Sequence, residues 1–224
     1  MMFWMGIVAT LLVAYLLGSI PTGYLAGKLV RGIDIREHGS KSTGATNVLR
    51  TLGKWPALFV LAVDVMKGVV AIVFAQWFYP WLVSRYPVVW PNELEIPSRV
   101  CWLVCLSGLA VLLGHGRSIW LNFTGGKSAA TGLGVLLAIS LPVGVGAAAA
   151  WGAVLAMSRI VSFSSILAAL AAIVLVFSFE QPMPYRLLVV AGGLYVIVRH
   201  RANVQRLLAG KEPRLGGDGS GARP

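Results

Sequence analysis

Long apolar runs separated by short polar segments make up most of this chain. A helix needs about 20 mostly apolar residues to cross a hydrocarbon core of roughly 30 Å, and runs near this length recur along the sequence. The candidate spans are Trp4–Val30, Trp55–Phe78, Val100–Gly114, Ser128–Ser140, Val143–Met157, Ile166–Phe179 and Leu187–Val198. We therefore predict an all-α integral membrane protein with seven transmembrane helices, two of them short, in a single polytopic domain over residues 1–209.

The two short helices come from residues 128–157, which can also be interpreted as one long span. The stretch Leu141-Pro142-Val143-Gly144 disfavours a continuous helix, because Pro lacks a backbone N–H and Gly has low helix propensity. Short, Gly-rich membrane helices often line a binding site. If the two pieces were one span, Arg159 would lie on the opposite side of the membrane from Lys127.

Two further segments lie outside the predicted spans. Residues 79–97 contain Pro, Trp and two Glu, and we predict an interfacial loop there, with Trp77, Trp81 and Trp90 at the membrane surface. Residues 210–224 consist largely of Gly, Pro and charged residues. They are predicted to form a mobile cytoplasmic tail.

The composition and the charge distribution support a membrane protein with a defined orientation. Hydrophobic residues make up 57% of the chain and charged residues only 12%, which excludes an ordinary soluble domain. With seven spans, Arg85, Arg99 and Arg186 fall on one side of the membrane, Lys67 lies inside the second span, and every other Lys and Arg falls on the opposite side. The positive-inside rule assigns that cationic side to the cytoplasm, so the N-terminus lies outside and the C-terminus inside. Because the cations form no long basic face with interleaved aromatic residues, we expect no nucleic-acid partner.

Four polar segments interrupt the apolar pattern, and with seven spans all of them face the cytoplasm. The first, residues 34–50, combines small hydroxyl residues with Gly39, Gly44 and Arg50. Backbone N–H groups, hydroxyls and a guanidinium in such a loop can converge on a phosphate. The alternative is an ordinary solvated loop.

The second polar segment is a glycine-rich turn that leads into a helix. Gly125, Gly126 and Lys127 precede that helix, and a helix N-terminus attracts anions. The segment resembles a P-loop, but Leu121 stands where that motif requires Gly and no strand precedes it, so nucleotide hydrolysis is disfavoured. Anion binding by the turn remains, with a lysine that only snorkels to the membrane surface as the alternative.

The third and fourth segments, residues 158–165 and 199–206, follow apolar runs. Serines at a helix start are commonly caps, but a lone cation such as Arg159 in so short an apolar connection usually faces a partner or a polar cavity. The fourth segment is equally compatible with a basic cluster on anionic lipid. Asp64 and Lys67, three residues apart in the second span, are predicted to form a structural salt bridge.

Several kinds of active site are disfavoured. No serine lies in a G-x-S-x-G motif, and none of His38, His115 and His200 has Asp five residues later. A nucleophile-elbow hydrolase and a His-x4-Asp acyltransferase are therefore disfavoured, and no Cys/His/carboxylate cluster indicates a metal site. From the residues alone, a transporter for an organic phosphate and a non-catalytic lipid-binding protein remain alternatives, although no inverted repeat supports the first.

Six segments taken together resemble one protein family. They are Gly-Ser-Ile-Pro (18–21), His-Gly-Ser-Lys-Ser-Thr-Gly-Ala-Thr-Asn-Val-Leu-Arg (38–50), Gly-His (114–115), Gly-Gly-Lys (125–127), Ser-Arg-x-x-Ser (158–162) and Arg-His-Arg-x-Asn (199–203). In this order, over nearly the whole chain, they resemble the bacterial acyl-phosphate:glycerol-3-phosphate acyltransferase family, PlsY. At Lys41, Ser42 and Ser128 the family more often has Gly, Asn and Gly, so we expect an altered fit for the acyl donor.

The resemblance implies a reaction and a location. The enzyme is expected in the bacterial inner membrane, with a periplasmic N-terminus and a cytoplasmic active site. It would move a fatty acyl group from acyl phosphate to the sn-1 hydroxyl of glycerol 3-phosphate, giving lysophosphatidic acid and inorganic phosphate as the first step of phospholipid synthesis. The implied partners are acyl phosphate, glycerol 3-phosphate and membrane lipids, with no cofactor and no metal.

Residue roles follow from the same resemblance. The expected catalytic residues, around the reacting groups, are Lys127, Asn47, Thr46, His200 and Asn203. The expected substrate ligands are Ser40, Gly44, Arg50, His115, Gly125, Gly126, Ser158, Arg159 and Ser162. His200 and His115 are both candidates for the base that accepts the hydroxyl proton, and the substrate's own phosphate is a third. The Gly-Ser-Ile-Pro segment is expected to bend the first span and admit the acyl chain.

Overall fold

The computed structural model describes residues 1–86 and 96–216, and that part of the chain folds into ten α-helices. The helices are α1 (Met2–Ser19), α2 (Thr22–Arg31), α3 (Ala45–Leu52), α4 (Lys54–Arg85), α5 (Ile96–Gly116), α6 (Ala129–Ile139), α7 (Leu141–Ser158), α8 (Val161–Ser178), α9 (Met183–Arg199) and α10 (Arg201–Leu208). Each of the seven predicted apolar runs contains a helix, which confirms the all-helical prediction.

Five stretches are long and apolar enough to cross a membrane: α1 together with α2, α4, most of α5, α7 and α8. A sixth is formed if α9 and α10, which meet at a bend of 57°, count as one span. The apolar helix α6 has only 11 residues, or about 17 Å of length, which is shorter than a hydrocarbon core. The protein is thus an integral membrane protein with five or six full-length candidate spans by length and composition.

The first predicted span is broken between α1 and α2. Ile20 and Pro21 separate the two helices, because Pro cannot donate the hydrogen bond that would continue α1. The Lys67 Nζ donates to the Ile20 carbonyl oxygen at 3.3 Å, and the Thr22 N–H donates to the same oxygen at 3.0 Å, so α4 contacts the backbone at the break. The helix is therefore interrupted at the Gly-Ser-Ile-Pro segment, and admission of the acyl chain there stays a prediction.

The predicted break within residues 128–157 is also present, but one length was wrong. Ser140 adopts an extended conformation between α6 and α7. Pro142 lies in the first turn of α7, where its missing N–H costs no helical hydrogen bond. Helix α7 therefore begins earlier than predicted and has 18 residues, so only α6 is short.

Helix α6 packs against α4 with their backbones in close approach. A Cβ on Gly68 of α4 would overlap the Thr131 carbonyl oxygen. A Cβ on Gly134 of α6 would likewise overlap the Val65 carbonyl oxygen. Small residues permit such contact between membrane helices, and here they hold the short helix firmly against the long one.

Three apolar clusters surround α6. One joins α1, α4 and α5 through residues such as Ile72 and Val104. A second joins α7, α8 and α9, and includes Val143 and Val176. The third packs α2, α3 and the polar loop between them onto the start of α4, with Val48 fully buried. The junction of these clusters encloses the candidate site.

The two segments outside the spans differ in part from expectation. Helix α4 continues to Arg85, so residues 79–85 are helical rather than loop, and Trp90 lies outside the described residues. In the predicted tail, Glu212 is buried, and the Leu215 N–H donates to the Arg159 carbonyl oxygen at 2.7 Å. Residues 210–216 thus lie against the protein, while 217–224 are outside the described part.

Candidate active site

A cavity of about 260 Å³ lies at the junction of the three clusters. Ten of the predicted site residues line it: Ser40, Gly44, Thr46, Asn47, Arg50, His115, Lys127, Ser162, His200 and Asn203. Gly125, Gly126, Ser158 and Arg159 do not line it. The fold thus brings together residues from four polar segments that are far apart in the sequence.

The cavity has one polar and one apolar part. Its polar lining comes from the loop before α3, the turn before α6 and the segment that follows α9. Its apolar lining comes from α6, α7, α8 and α9, for example Leu136, Ala147, Ala172 and Val189. A molecule with an anionic head and a hydrocarbon chain matches such a lining.

Asn47 organises the polar loop before α3. Its Nδ2 lies within 3.0 Å of the carbonyl oxygens of Ile35, His38 and Ser42, and its Oδ1 accepts from the Ser40 N–H at 2.8 Å. The side chain is 1% exposed, and these contacts use its hydrogen-bonding capacity. The geometry therefore supports a positioning role for Asn47 rather than the expected catalytic one.

The start of α3 faces the cavity beside this loop. Ala45 and Thr46 are the first residues of α3, Gly44 is its N-cap, and all three line the cavity. The first N–H groups of a helix have no partner in that helix and carry partial positive charge. Together with the exposed Arg50 side chain, they can bind a phosphate.

Lys127 belongs to a connected set of polar side chains. Its Nζ donates to Asn203 Oδ1 at 2.7 Å, and Asn203 Nδ2 donates to Glu212 Oε1 at 2.6 Å. The same carboxylate accepts from Ser162 Oγ at 2.7 Å and from Arg206 Nε at 2.7 Å. Lys127 is therefore held at the cavity by an amide and, through it, by a carboxylate.

The surroundings of Lys127 change its pKa. Burial is the largest cause, and it lowers the pKa of Lys127 from 10.5 to about 8 against the opposing effect of Glu212, with Arg206 and Arg50 lowering it further. For Glu212, burial is the largest single cause and raises the pKa. The hydrogen bonds from Asn203, Ser162 and Arg206 together outweigh burial, so the pKa of Glu212 is lowered overall. The site thus holds the Glu212 carboxylate near the Lys127 ammonium, whose pKa of about 8 is close to neutral pH.

Glu212 is the functional residue that sequence reasoning missed. It lies in the segment predicted to be a mobile tail, where surrounding Gly and Pro residues indicate no fixed structure. Its importance follows only from tertiary contact with Ser162, which is 50 residues away in the chain. In the sequence, the one indication of this contact is that an acidic residue follows shortly after the strongly basic segment 199–206.

The glycine turn is shaped by its neighbours. The Gly126 N–H donates to the His115 carbonyl oxygen at 3.1 Å, and the Arg199 guanidinium donates to the Gly125 and Gly126 carbonyl oxygens at 2.8–3.2 Å. A Cβ on Gly126 would overlap the His115 ring. The Gly126 N–H is thus already used within the protein, which favours a positioning role for Gly126, whereas anion binding by Gly125 stays a prediction.

His115 contacts the Asp64–Lys67 pair. The predicted salt bridge is present, with Lys67 Nζ 2.9 Å from Asp64 Oδ1, and Thr22 Oγ1 donates to the same oxygen at 3.1 Å. His115 Nδ1 lies 3.6 Å from it. Since all of these side chains are buried, Asp64 joins the α1–α2 break, α4 and the end of α5 at the cavity wall.

His200 is held in one orientation. The residue is 4% exposed, and Nδ1 lies 2.8 Å from the Val196 carbonyl oxygen. A carbonyl can only accept, so the neutral ring carries its proton on Nδ1 and Nε2 remains an acceptor. This tautomer is the one required of a base that acts through Nε2.

Ser158 and Arg159 serve the helix boundary between α7 and α8. Ser158 Oγ donates to the Val154 carbonyl oxygen at 2.7 Å and accepts from the Ile160 N–H at 3.1 Å. Arg159 ends α7 with a left-handed backbone, at φ 58°, and its side chain is exposed outside the cavity lining. For Ser158, these local hydrogen bonds agree better with a structural role at the helix boundary than with substrate binding.

Two of the departures from the family pattern occupy left-handed backbone. Lys41 has φ 57° and Ser128 has φ 62°, a region that glycine adopts without strain. Ser128 is fully buried, and its Oγ donates to the Leu112 carbonyl oxygen at 2.8 Å, which offsets part of the cost. Among the described residues, no group of three or more metal-ligating side chains could hold a metal ion.

Comparisons with known proteins agree on one family. A sequence profile described as glycerol-3-phosphate acyltransferase matches residues 8–210. The chain is 70% identical to glycerol-3-phosphate acyltransferase 2 of Rhizobium johnstonii, over 96% of this chain and 99% of that protein. It is 52% identical to glycerol-3-phosphate acyltransferase of a Nostoc species, over 96% of this chain and 94% of that one.

Solved structures give the same result. The fold is similar to the crystal structure of PlsY (YgiH), an integral membrane glycerol 3-phosphate acyltransferase, in its glycerol 3-phosphate form, with a TM-score of 0.80 and 34% identity over 94% of this chain and 96% of that one. The lysophosphatidic acid form of that protein matches with a TM-score of 0.77 and 34% identity, over 93% of this chain and 94% of that one.

Proposed function

This chain belongs to the glycerol-3-phosphate acyltransferase family, and from that premise we propose that it acylates glycerol 3-phosphate with an acyl phosphate as donor. The acyl group moves to the sn-1 hydroxyl, and the products are lysophosphatidic acid and inorganic phosphate. The two forms of the similar solved structure hold this acceptor and this product, which supports the same acceptor and product here.

One observation carries the proposal: a single cavity joins a cationic, hydroxyl-rich end to an apolar channel between helices. Lys127 and Arg50 line the polar end, beside the start of α3. Two phosphates brought together would repel, and cations held in a largely buried site offset that repulsion. The channel lined by α6, α7, α8 and α9 suits the hydrocarbon chain of the donor.

The chemistry needs no covalent enzyme intermediate. The sn-1 oxygen attacks the acyl carbonyl carbon, the bond between that carbon and the phosphate oxygen breaks, and phosphate leaves with the electron pair. The hydroxyl proton passes either to the leaving phosphate or to Nε2 of His200, which is an acceptor in the tautomer described. Catalysis then rests on alignment of two bound substrates and on charge stabilisation by Lys127 and Arg50.

Residue roles divide into contact and positioning. We assign substrate contact to Ser40, Gly44, Thr46, Arg50, Lys127, Ser162 and His200, which line the cavity. Asn47, His115, Gly125, Gly126 and Asn203 are assigned to positioning, because their described hydrogen bonds hold loops or Lys127. We assign no substrate contact to Arg159, which does not line the cavity.

We also assign the site to the cytoplasmic face of the bacterial inner membrane, in a seven-span protein with a periplasmic N-terminus. The distribution of Lys and Arg supports this orientation. It requires α6, despite its 11 residues, to count as a span.

The test is product formation by purified protein in detergent. Because detergent solution has no compartments, a transporter would give no signal in this assay. Palmitoyl phosphate and glycerol 3-phosphate should give lysophosphatidic acid and equimolar phosphate. Lys127→Ala should abolish most of the rate, whereas Lys54→Ala should not, because Lys54 is exposed and stacks on Trp55 outside the cavity. Activity with acyl-CoA but not with palmitoyl phosphate would refute the proposed donor.

A further inference from the structure

The loop between α5 and the glycine turn exposes large apolar side chains. Ile119 is 46% exposed, Trp120 63% and Phe123 55%, while Leu121 between them is buried. These residues lie outside the helices that can span the membrane. In water, such a patch would be unfavourable, so the surface indicates a partner.

The loop is closed and fixed to its neighbours. Ser118 and Thr124 form an isolated β-bridge, and the Phe123 N–H donates to the Ser118 carbonyl oxygen at 2.8 Å. Asn122 and Phe123 both have left-handed backbone, with φ of 51° and 58°. Such a conformation is costly for a bulky residue such as Phe and persists only where its surroundings impose it.

Its depth follows from the helices that hold it. The Ser118 hydroxyl donates to the Ser19 carbonyl oxygen at 2.6 Å, and the Tyr15 hydroxyl donates to the Arg117 carbonyl oxygen at 2.8 Å. The loop directly follows the 19-residue candidate span of α5. That length corresponds to about 29 Å, close to the thickness of a hydrocarbon core.

We propose that residues 119–123 form an interfacial anchor that inserts Ile119, Trp120 and Phe123 into the lipid leaflet on the cavity side, and so holds the turn that carries Lys127 at the bilayer surface. The occupant is lipid because the patch continues the lipid-facing surface of α1 and α5, where Leu16 and Leu113 are also exposed. Trp favours the boundary between hydrocarbon and headgroups, and the exposed Arg117 next to it suits anionic headgroups.

Insertion does not depend on the proposed reaction, whereas the link to Lys127 does. Thr124 of the β-bridge is followed directly by Gly125, Gly126 and Lys127. The depth of the loop in the membrane therefore determines the depth of the Lys127 ammonium. The ammonium then meets the phosphate of a donor whose acyl chain remains in the bilayer. This coupling rests on the proposed function.

Insertion is tested with an environment-sensitive nitrobenzoxadiazole dye. It is attached to Trp120→Cys in a chain whose only other cysteines, Cys101 and Cys105, are changed to Ala. Lys41→Cys, on the exposed loop before α3, is the matched control. In phosphatidylethanolamine–phosphatidylglycerol vesicles, the dye at 120 should emit at shorter wavelength, be quenched by brominated lipid and resist aqueous iodide, and the dye at 41 should show the reverse.

Equal iodide quenching at the two positions would overturn the proposal and would favour a protein partner for the patch. A second measurement needs no cysteine substitutions and therefore still tests insertion if the labelled protein misfolds. Brominated lipid should quench a smaller share of the intrinsic tryptophan fluorescence in Trp120→Phe than in the parent, and an unchanged share would overturn the proposal as well.

The coupling to Lys127 is tested by activity in the same vesicles. Trp120→Ser should lower kcat/KM for both substrates several-fold, and Trp120→Phe, which keeps an apolar ring, should retain most of it. Equal activity of the parent and Trp120→Ser would overturn the coupling. If the parent itself makes no lysophosphatidic acid, the proposed function fails while the quenching result still decides insertion.

Discussion

The Lys127 ammonium should give this enzyme an alkaline limit that ordinary lysines would not impose. Burial lowers its pKa from 10.5 to about 8, against the opposing effect of Glu212. Because the shift is downward, Lys127 of the free enzyme is charged below about pH 8 and loses its charge as the pH rises through that value. An exposed lysine would keep its charge to above about pH 10.

The size of the effect follows from the titration. One pH unit above the pKa leaves roughly a tenth of Lys127 charged, so kcat/KM for glycerol 3-phosphate should fall roughly tenfold per unit above about pH 8. The phosphate of the acceptor has a second pKa of about 6, so its charge stays constant in this range. The decline in kcat should begin at higher pH, because a bound phosphate stabilises the charged lysine.

The assay is the initial rate of lysophosphatidic acid formation at saturating donor, from neutral pH to two units above the Lys127 pKa. Lys127→Arg should lose the alkaline decline, at a lower plateau, because a guanidinium stays protonated. Lys54→Arg, away from the cavity, should keep the decline. A flat parent profile, or the same decline in Lys127→Arg, would refute the assignment of this titration to Lys127.

Two further variants probe the supports of Lys127. Gly126→Ala should abolish activity, because the new methyl group overlaps the His115 ring. The control Gly152→Ala, with open space around the new methyl group, should keep activity and stabilise α7 by up to about 1 kcal/mol. Both variants are compared with the parent by thermal unfolding and by initial rates. Glu212→Ala should cost about 1–3 kcal/mol of stability by leaving buried donors unpaired. It should also move the alkaline limit to lower pH, because Glu212 raises the Lys127 pKa, whereas exposed Glu37→Gln should change neither quantity.

The helices and their breaks are predictable from local pattern. Apolar runs of membrane-spanning length predict α1 with α2, α4, α5 and the helices that follow, because lipid leaves a chain few ways to satisfy its backbone. Pro21 predicts the break in the first span, and Pro142 predicts the separation of α6 from α7. The start of α7 was placed too late, because Pro is tolerated in a first turn and therefore does not mark the boundary by itself.

The candidate site is predictable as a set of segments but not as a set of roles. Residue type and order indicate which polar segments meet, since segments that are predicted on one side of the membrane come together when the spans pack. They do not reveal that Glu212 folds back onto Ser162 and Asn203. Nor do they show that Ser158 is used by the end of its own helix.

Groups that can act on a substrate differ from groups that build the site in where their hydrogen bonds are made. Asn47, Gly126 and Arg199 are of types that commonly bind phosphate, yet their hydrogen bonds are made to the protein itself. Lys127 uses one of its three donors within the described residues, on Asn203, so the others remain for an anion. Because the supporting bonds exist before substrate arrives, the ammonium needs little reorganisation when it meets a substrate phosphate. Disturbing a supporting residue should therefore lower kcat through misplacement of Lys127, even where that residue never touches the substrate.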